Sequence, residues 1–128
     1  MKNQYNLKDK KAQIYKKVYN GQDDDGYFKP ESYYPAAPAF IWCYTRQLTQ
    51  DQIFAAAAYS QQETRLFVFN YYKGVDVYDV IRYRGEWYEV TRVDTTDDYK
   101  GDLYIYVKLL GGAPKPEQIK PYDPSKWE

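Results

Sequence analysis

The run Asp23-Asp24-Asp25-Gly26 is where this sequence comes nearest to a cation site. An EF-hand loop spaces oxygen ligands at alternate positions around a glycine and closes on a glutamate. With the glycine set at Gly26, the ligand positions fall on Gly21, Asp23 and Asp25 and the closing position on Ser32. The first and last offer no carboxylate and the flanks read as strands, so a solvated turn is expected. Carboxylates for general acid–base work are present in number, but they gather in turns, where water holds their pKa values ordinary. Cys43 lies inside an apolar run, which predicts a buried small hydrophobe in place of a nucleophile. As the only cysteine it excludes an internal disulfide, a Cys-x-x-Cys pair and a thiolate metal cage. The absence of histidine removes every Ser-His-Asp or Cys-His constellation, His-ligated zinc and the imidazole switch. No Gly-x-Gly-x-x-Gly, Walker loop or Gly-x-Ser-x-Gly elbow occurs. The sequence therefore predicts no catalytic residue, no metal and no cofactor.

What it has instead is tyrosine, 17 of 128 residues. Tyrosine offers a large, rigid, amphipathic face suited to protein–protein contacts. Eighteen basic residues balance eighteen acidic ones, so no global field draws the chain to nucleic acid or an anionic membrane. The distribution is uneven. Lys2, Lys8, Lys10, Lys11, Lys16 and Lys17 stand against Asp9 alone in the first twenty residues, whereas Asp23–Asp25 and Asp94, Asp97, Asp98 and Asp102 make the turns acidic. Charge runs are usually solvated faces, and complementarity between copies in a ring or stack is the sharper alternative. The first lysines precede no apolar run of signal-peptide length, and no stretch nears the roughly 20 apolar residues of a spanning helix. A soluble protein without membrane contact, made in a cytosol and stable without disulfides, is expected.

The length fits one small domain, here expected as a β-barrel domain over residues 1–112 followed by a Pro-rich tail over 113–128. Period-two alternation dominates. It predicts strands over Lys11–Asn20, Phe40–Gln47, Thr64–Tyr71, a hairpin over Val77–Val93, and Leu103–Leu110. Pro30, Pro35 and Pro38 mark a connection that cannot join a central ladder. Thr49 with Gln52 is a capping-box signature before an alanine-rich helix over Ile53–Gln62. Pro114, Pro116, Pro121 and Pro124 predict a tail too proline-rich to enter a core. These elements make an all-β protein, an antiparallel barrel or sandwich of five to six strands with one short α-helix and a long inter-strand connection.

The hairpin register follows from its turn. With Arg84 and Gly85 central, Tyr83 faces Glu86, Arg82 faces Trp87 and Ile81 faces Tyr88. Ile81, Tyr83, Tyr88 and Val90 then share an apolar face. Arg82, Arg84, Trp87, Glu89 and Arg92 share a charged one, where Arg82 over Trp87 is a cation–π pair worth about 0.5–1 kcal/mol if exposed.

This hairpin, with its core IRYRGEWYEVTRVD, resembles the signature of the phage head–tail joining proteins, also called head–tail adaptor, head-closure or stopper proteins. The matching features are Ile81, Gly85, Tyr88-Glu89-Val90 and Val93-Asp94. In order along the chain, Gln13–Tyr19, Gly26-Tyr27-Phe28, Ile41-Trp42-Cys43, Ala55–Gln62, Thr64–Asn70 and Leu103–Leu110 resemble the rest of the family pattern, over residues 11 to 110. Two places depart from it: Asp51 stands where members often carry a glutamate, and Phe69-Asn70-Tyr71 where an Ile-Arg-Tyr-like run is usual.

The resemblance implies a structural virion protein of a tailed phage or prophage, a small β-barrel without catalysis. It implies a ring, commonly of twelve copies, between a portal–adaptor ring above and tail-completion or tail proteins below. Packaged double-stranded DNA passes through such a ring, which helps retain it. In some members a long inter-strand connection closes the channel; here that is Thr49–Glu63, with Thr49, Asp51, Ile53, Phe54, Ala57 and Gln61 as candidate residues. A helix that merely covers one end of the barrel is the alternative. Candidate ring contacts are the hairpin's outer face (Arg82, Arg84, Trp87, Arg92), a Tyr104/Tyr106 edge, and the basic Lys16 and Lys17. The amino-terminal segment and the tail are expected as arms that order on assembly. A tail-completion or tail-terminator protein is one alternative. A single-strand nucleic-acid-binding barrel, using Tyr15-Lys16-Lys17 and Arg82-Tyr83-Arg84, is another.

Overall fold

The computed structural model describes residues 9–48, 63–70, 75–95 and 102–127. Seven strands form one antiparallel sheet: β1 (Lys10–Val18), β2 (Ser32–Pro35), β3 (Ile41–Gln47), β4 (Arg65–Asn70), β5 (Val80–Tyr83), β6 (Glu86–Thr95) and β7 (Asp102–Leu109). The order β1-β3-β4-β7-β6-β5 closes on itself through a β5–β1 pairing, giving a six-stranded barrel with β2 as an extra strand on β1. The expected all-β barrel is therefore what the chain forms. The expected helix over Ile53–Gln62 and the candidate channel residues from Thr49 to Gln61 lie outside the described residues.

Alternation fills the barrel. Ala12, Ile14, Cys43, Phe67, Phe69, Ile81, Tyr83, Tyr88, Val90, Leu103, Ile105 and Val107 point inward and are buried. Phe67 is the hub, edge-on to Tyr83 and Tyr88 with ring centroids 5.6 Å away in each case. The β5–β6 register is the expected one: Tyr83 opposite Glu86, Arg82 opposite Trp87, Ile81 opposite Tyr88. Its two-residue turn has φ 51° at Arg84 and 80° at Gly85, the left-handed pair that a tight hairpin needs and that glycine adopts without cost. Farther along β6 a bulge between Val90 and Arg92 inserts Thr91. The extra residue breaks the alternation, so Arg92 turns outward and Val93 can pack against the core.

Two parts of the chain differ from expectation. The proline-punctuated connection contains β2, which pairs Ser32–Pro35 with Val18–Tyr15. Pro35 sits at its end, where no donor is required. β1 thus changes partner along one edge, from β3 at Lys10–Ala12 to β2 at Tyr15–Val18. Buried Gln13 bridges the gap: its Nε2 donates to the carbonyls of Ala37 and Ala39, at 3.0 and 2.9 Å, and its Oε1 accepts from the Ile14 N–H. The second difference is the tail. Its residues from 113 onward run across the sheet: Ile119 bridges in parallel to Tyr33, the Lys120 N–H donates to the Tyr33 carbonyl, and Trp127 Nε1 donates to the Tyr34 carbonyl at 3.1 Å. Prolines open two short 3₁₀ turns, Pro116–Gln118 and Pro124–Trp127. The docked tail corrects the expectation of a free arm. Proline bars a segment from ladder interiors, but it leaves carbonyls and flanking apolar side chains free to dock.

The Cys43 side chain is fully buried, and burial pushes its thiol up to about 12 from an ordinary 9.0. The native state keeps its proton where the unfolded chain loses it, so this contribution to stability is present below pH 9.0 and drains away between pH 9.0 and about 12. We expect urea titrations to show stability falling more steeply over that range than in Cys43→Val, by up to about 1.4 kcal/mol per pH unit. A thiol reagent at neutral pH should label Cys43 only at the rate of opening.

Candidate assembly surfaces

The outer surface of the barrel is where any contact with other chains must lie, and it has several distinct parts. On β5 and β6, Trp87 is buried (9% exposed). It packs with Tyr15, Tyr33 and Val80, roofed by Leu110 and Ile119, with ring centroids 5.0 Å from Tyr15 and 6.3 Å from Tyr33. The expectation that Trp87 is displayed on an open face is corrected, because β2 and the tail cover it. Arg82 does lie over its ring, 5.5 Å from the centroid, and stays exposed, as does Arg84.

Of the expected interface cations, Lys16 and Arg92 are engaged inside the chain through their side chains and Lys17 through its backbone. Lys16 Nζ pairs with Asp79 Oδ2 at 2.8 Å and Asp76 Oδ2 at 3.4 Å, and sits 4.7 Å above the Trp127 ring. Lys17 is half-buried, its N–H donating to Asp79 Oδ1 at 3.3 Å. Arg92 Nη2 meets Glu63 Oε1 at 3.2 Å, and its guanidinium lies 3.9 Å from the Tyr106 ring centroid. Glu63 is only 2% exposed; its other oxygen is 2.7 Å from the Thr91 hydroxyl, which also reaches the Tyr106 carbonyl at 3.0 Å. These buried acids were not foreseen from sequence. The available signal for Asp79 was its place directly before the apolar pair Val80-Ile81 that opens the hairpin. Burial raises the Asp79 carboxyl above its ordinary range, against the lowering effect of Lys16 and the backbone donors.

Tyr104 and Tyr106 are half-buried on the outer face of β7, beside Leu48, Leu66, Val68 and Tyr44. Since β7 lies between β4 and β6, this is the middle of the sheet and not an edge. At the barrel end marked by the β5–β6 turn, a cavity of about 760 Å³ is lined by Lys10, Arg65, Arg84 and Glu86 among others. Three cations face one acid there. The guanidiniums of Arg65 and Arg84 lie 5.6 and 5.3 Å from the centroid of Tyr83. The connection from β3 to β4 leaves and returns at this same end, since Gln47 and Arg65 both line the cavity.

The Asp23–Gly26 run caps a small hairpin. Asp23 Oδ1 accepts from the N–H groups of Asp25 and Tyr27, at 3.0 and 2.9 Å, so its carboxylate serves the turn. No cluster of three metal-ligating side chains occurs among the described residues, and no described helix is long and apolar enough to cross a membrane.

The distinct outer surfaces of the described residues are of the kind an assembly part presents. The family model of the phage head completion protein matches residues 7–109. The chain belongs to that family. Head completion is structural work, and membership makes this a phage structural protein of head closure, located in the virion, with its contacts at the head–tail junction. The family is not an enzyme family. Among solved structures, the fold resembles the solution structure of protein SF1141 from Shigella flexneri 2a. The TM-score is 0.65 at 12% identity, over 87% of this chain and 100% of that one. A likeness at that identity bears on the fold alone. No curated protein matches the chain significantly.

Proposed function

We infer that this head completion protein forms a ring, commonly dodecameric in its family, between a portal–adaptor ring and the tail, and helps retain packaged DNA. The family match over residues 7–109 carries the reading. The cationic barrel end supports an orientation. Lys10, Arg65 and Arg84 offer a phosphate backbone charge that the neutral chain as a whole does not. The β3–β4 connection, with its candidate residues Thr49, Asp51, Ile53, Phe54, Ala57 and Gln61, issues from that same end and would reach the channel. In the ring, Arg82, Arg84 and the Tyr104/Tyr106 face are the candidate contacts with neighbours. The isolated chain is expected as a monomer in dilute solution.

Phage carrying a nonsense codon early in this gene tests the reading. Heads should package DNA and then lose it, and tails should stay unattached, with both defects restored by supplying the protein in trans. Normal yields of infectious particles from the mutant would overturn it. Cryo-microscopy of complemented heads gives the ring number, and a double reversal Lys10→Glu/Arg65→Glu should leave the ring in place while impairing DNA retention.

A further inference from the structure

The β1–β2 hairpin carries a tip that no other described residue covers. Residues 19–30 are all exposed, and Tyr27 and Phe28 are each 73% exposed. Large rings in water normally mean a missing partner when they cluster. The tip is nonetheless built. Gln22 bridges to Phe28, the Asp23 N–H donates to the Tyr27 carbonyl at 2.8 Å, and the Lys29 N–H donates to the Gly21 carbonyl at 2.9 Å. At the base, Asn20 Nδ2 lies 2.6 Å from the Pro30 carbonyl and 2.9 Å from Ser32 Oγ. With the Asp23 carboxylate turned inward to the turn, Asp24 and Asp25 are the acids it presents at its end, with the exposed cation Lys29 behind them toward the base. A preordered element with exposed rings has little entropy left to lose on docking.

Elsewhere on the same chain is a groove of matching chemistry. A cavity of about 510 Å³ runs between the β2–β3 connection and the docked tail. Phe40 (64% exposed), Tyr122, Pro38 and Pro121 form its walls, and its charged lining residues, Arg82 and Lys120, are both cations. The groove exists only because the tail docks. The exposure of the tip shows that it does not occupy its own chain's groove.

We propose that the tip, Asp24 to Phe28, docks in this groove on a second copy of the chain, with Tyr27 and Phe28 between the aromatic and proline walls and Asp24 and Asp25 against Arg82 and Lys120. Tip and groove are different patches, so the contact is heterologous and can repeat head-to-tail around a closed ring, which an isologous contact cannot. In that use the contact rests on the ring reading above.

Cysteine exchange tests it. Phe28→Cys and Phe40→Cys are prepared separately in the full chain and oxidised alone and mixed, first as concentrated protein and then in assembled heads. A disulfide-linked dimer should form in the mixture and not with either variant alone. Equal dimers from Phe28→Cys alone, or no mixed dimer in either setting, overturns the docking. Heads that incorporate both variants and join tails without a mixed dimer overturn this contact and leave the ring reading standing; heads that never incorporate the protein overturn that reading. Asp25→Arg should weaken association about tenfold, and combining it with Arg82→Asp should restore it. A failure of the swap to restore it would assign the loss to folding and count against the pairing.

Discussion

Trp87→Ala should destabilise the protein by about 3–5 kcal/mol, the cost of emptying a packed aromatic site. Trp87 touches three separately encoded parts of the chain: Tyr15 on β1, Tyr33 on β2, and the Leu110 and Ile119 roof. Without the ring, both the second core and the docking surface of the tail lose their common contact. Two measurements should therefore move together. The urea midpoint falls, and the segment after Gly112 becomes cleavable by a protease under conditions that leave the parent intact. Arg82→Gln is the control on the same face. It removes only the exposed cation 5.5 Å from that ring, so a loss of about 1 kcal/mol or less is expected. A Trp87→Ala protein that melts like the parent but no longer assembles would restore Trp87 as an open contact residue and sink the buried-core assignment.

The same residue shows how far the sequence could be read. Period two sorted the hairpin into two faces, and the turn at Arg84-Gly85 set the register correctly. Alternation, however, only says which residues share a face; what covers that face is a separate matter. Trp87, Tyr15 and Val80 stand on the side away from the barrel interior and are buried there by residues far along the chain, Tyr33 and Ile119. β4 was easier to misjudge still. Leu66 and Val68 are buried as well as Phe67 and Phe69, so the strand has no polar face to betray its direction. Prolines hid β2 and the tail's docking for the same reason: they report where ladder donors are missing and are silent about carbonyls and side chains. The cations at the barrel end are far apart in sequence, at Lys10, Arg65 and Arg84, and only closure of the sheet brings them together. The exposed rings of Tyr27 and Phe28 were visible as aromatics, but their lack of cover is a tertiary fact.

Asp79→Ala should cost about 3 kcal/mol, although the ion pair it removes contributes little net stability of its own. Asp79 is 3% exposed and accepts from Lys16 Nζ at 2.8 Å, the Asp76 N–H at 2.9 Å and the Lys17 N–H at 3.3 Å. Taking the carboxylate from water cancels much of the attraction, and the upward displacement of its pKa shows burial winning over the pairing. Deleting the side chain is a different operation. It strands two backbone donors, each with its own desolvation penalty, and takes from a largely buried ammonium its shortest ion pair, leaving it the longer one to Asp76. Asp79→Asn keeps an acceptor for the backbone and should lose less, on the order of 1–2 kcal/mol. The pH dependence separates the two contributions. With a native pKa above the unfolded value of 3.8, Asp79 holds its proton more tightly when folded, so its contribution is greatest below pH 3.8 and declines as pH rises through the native value. The Asn variant should lack that decline while keeping the rest of the acid profile. The double variant Lys16→Met/Asp79→Asn removes both members of the 2.8 Å pair, and should fall short of the sum of the two single losses by about 1 kcal/mol. Strict additivity would mean that Asp76, the second carboxylate 3.4 Å from Lys16, already satisfies the ammonium, and that the Asp79 network acts only through its backbone donors.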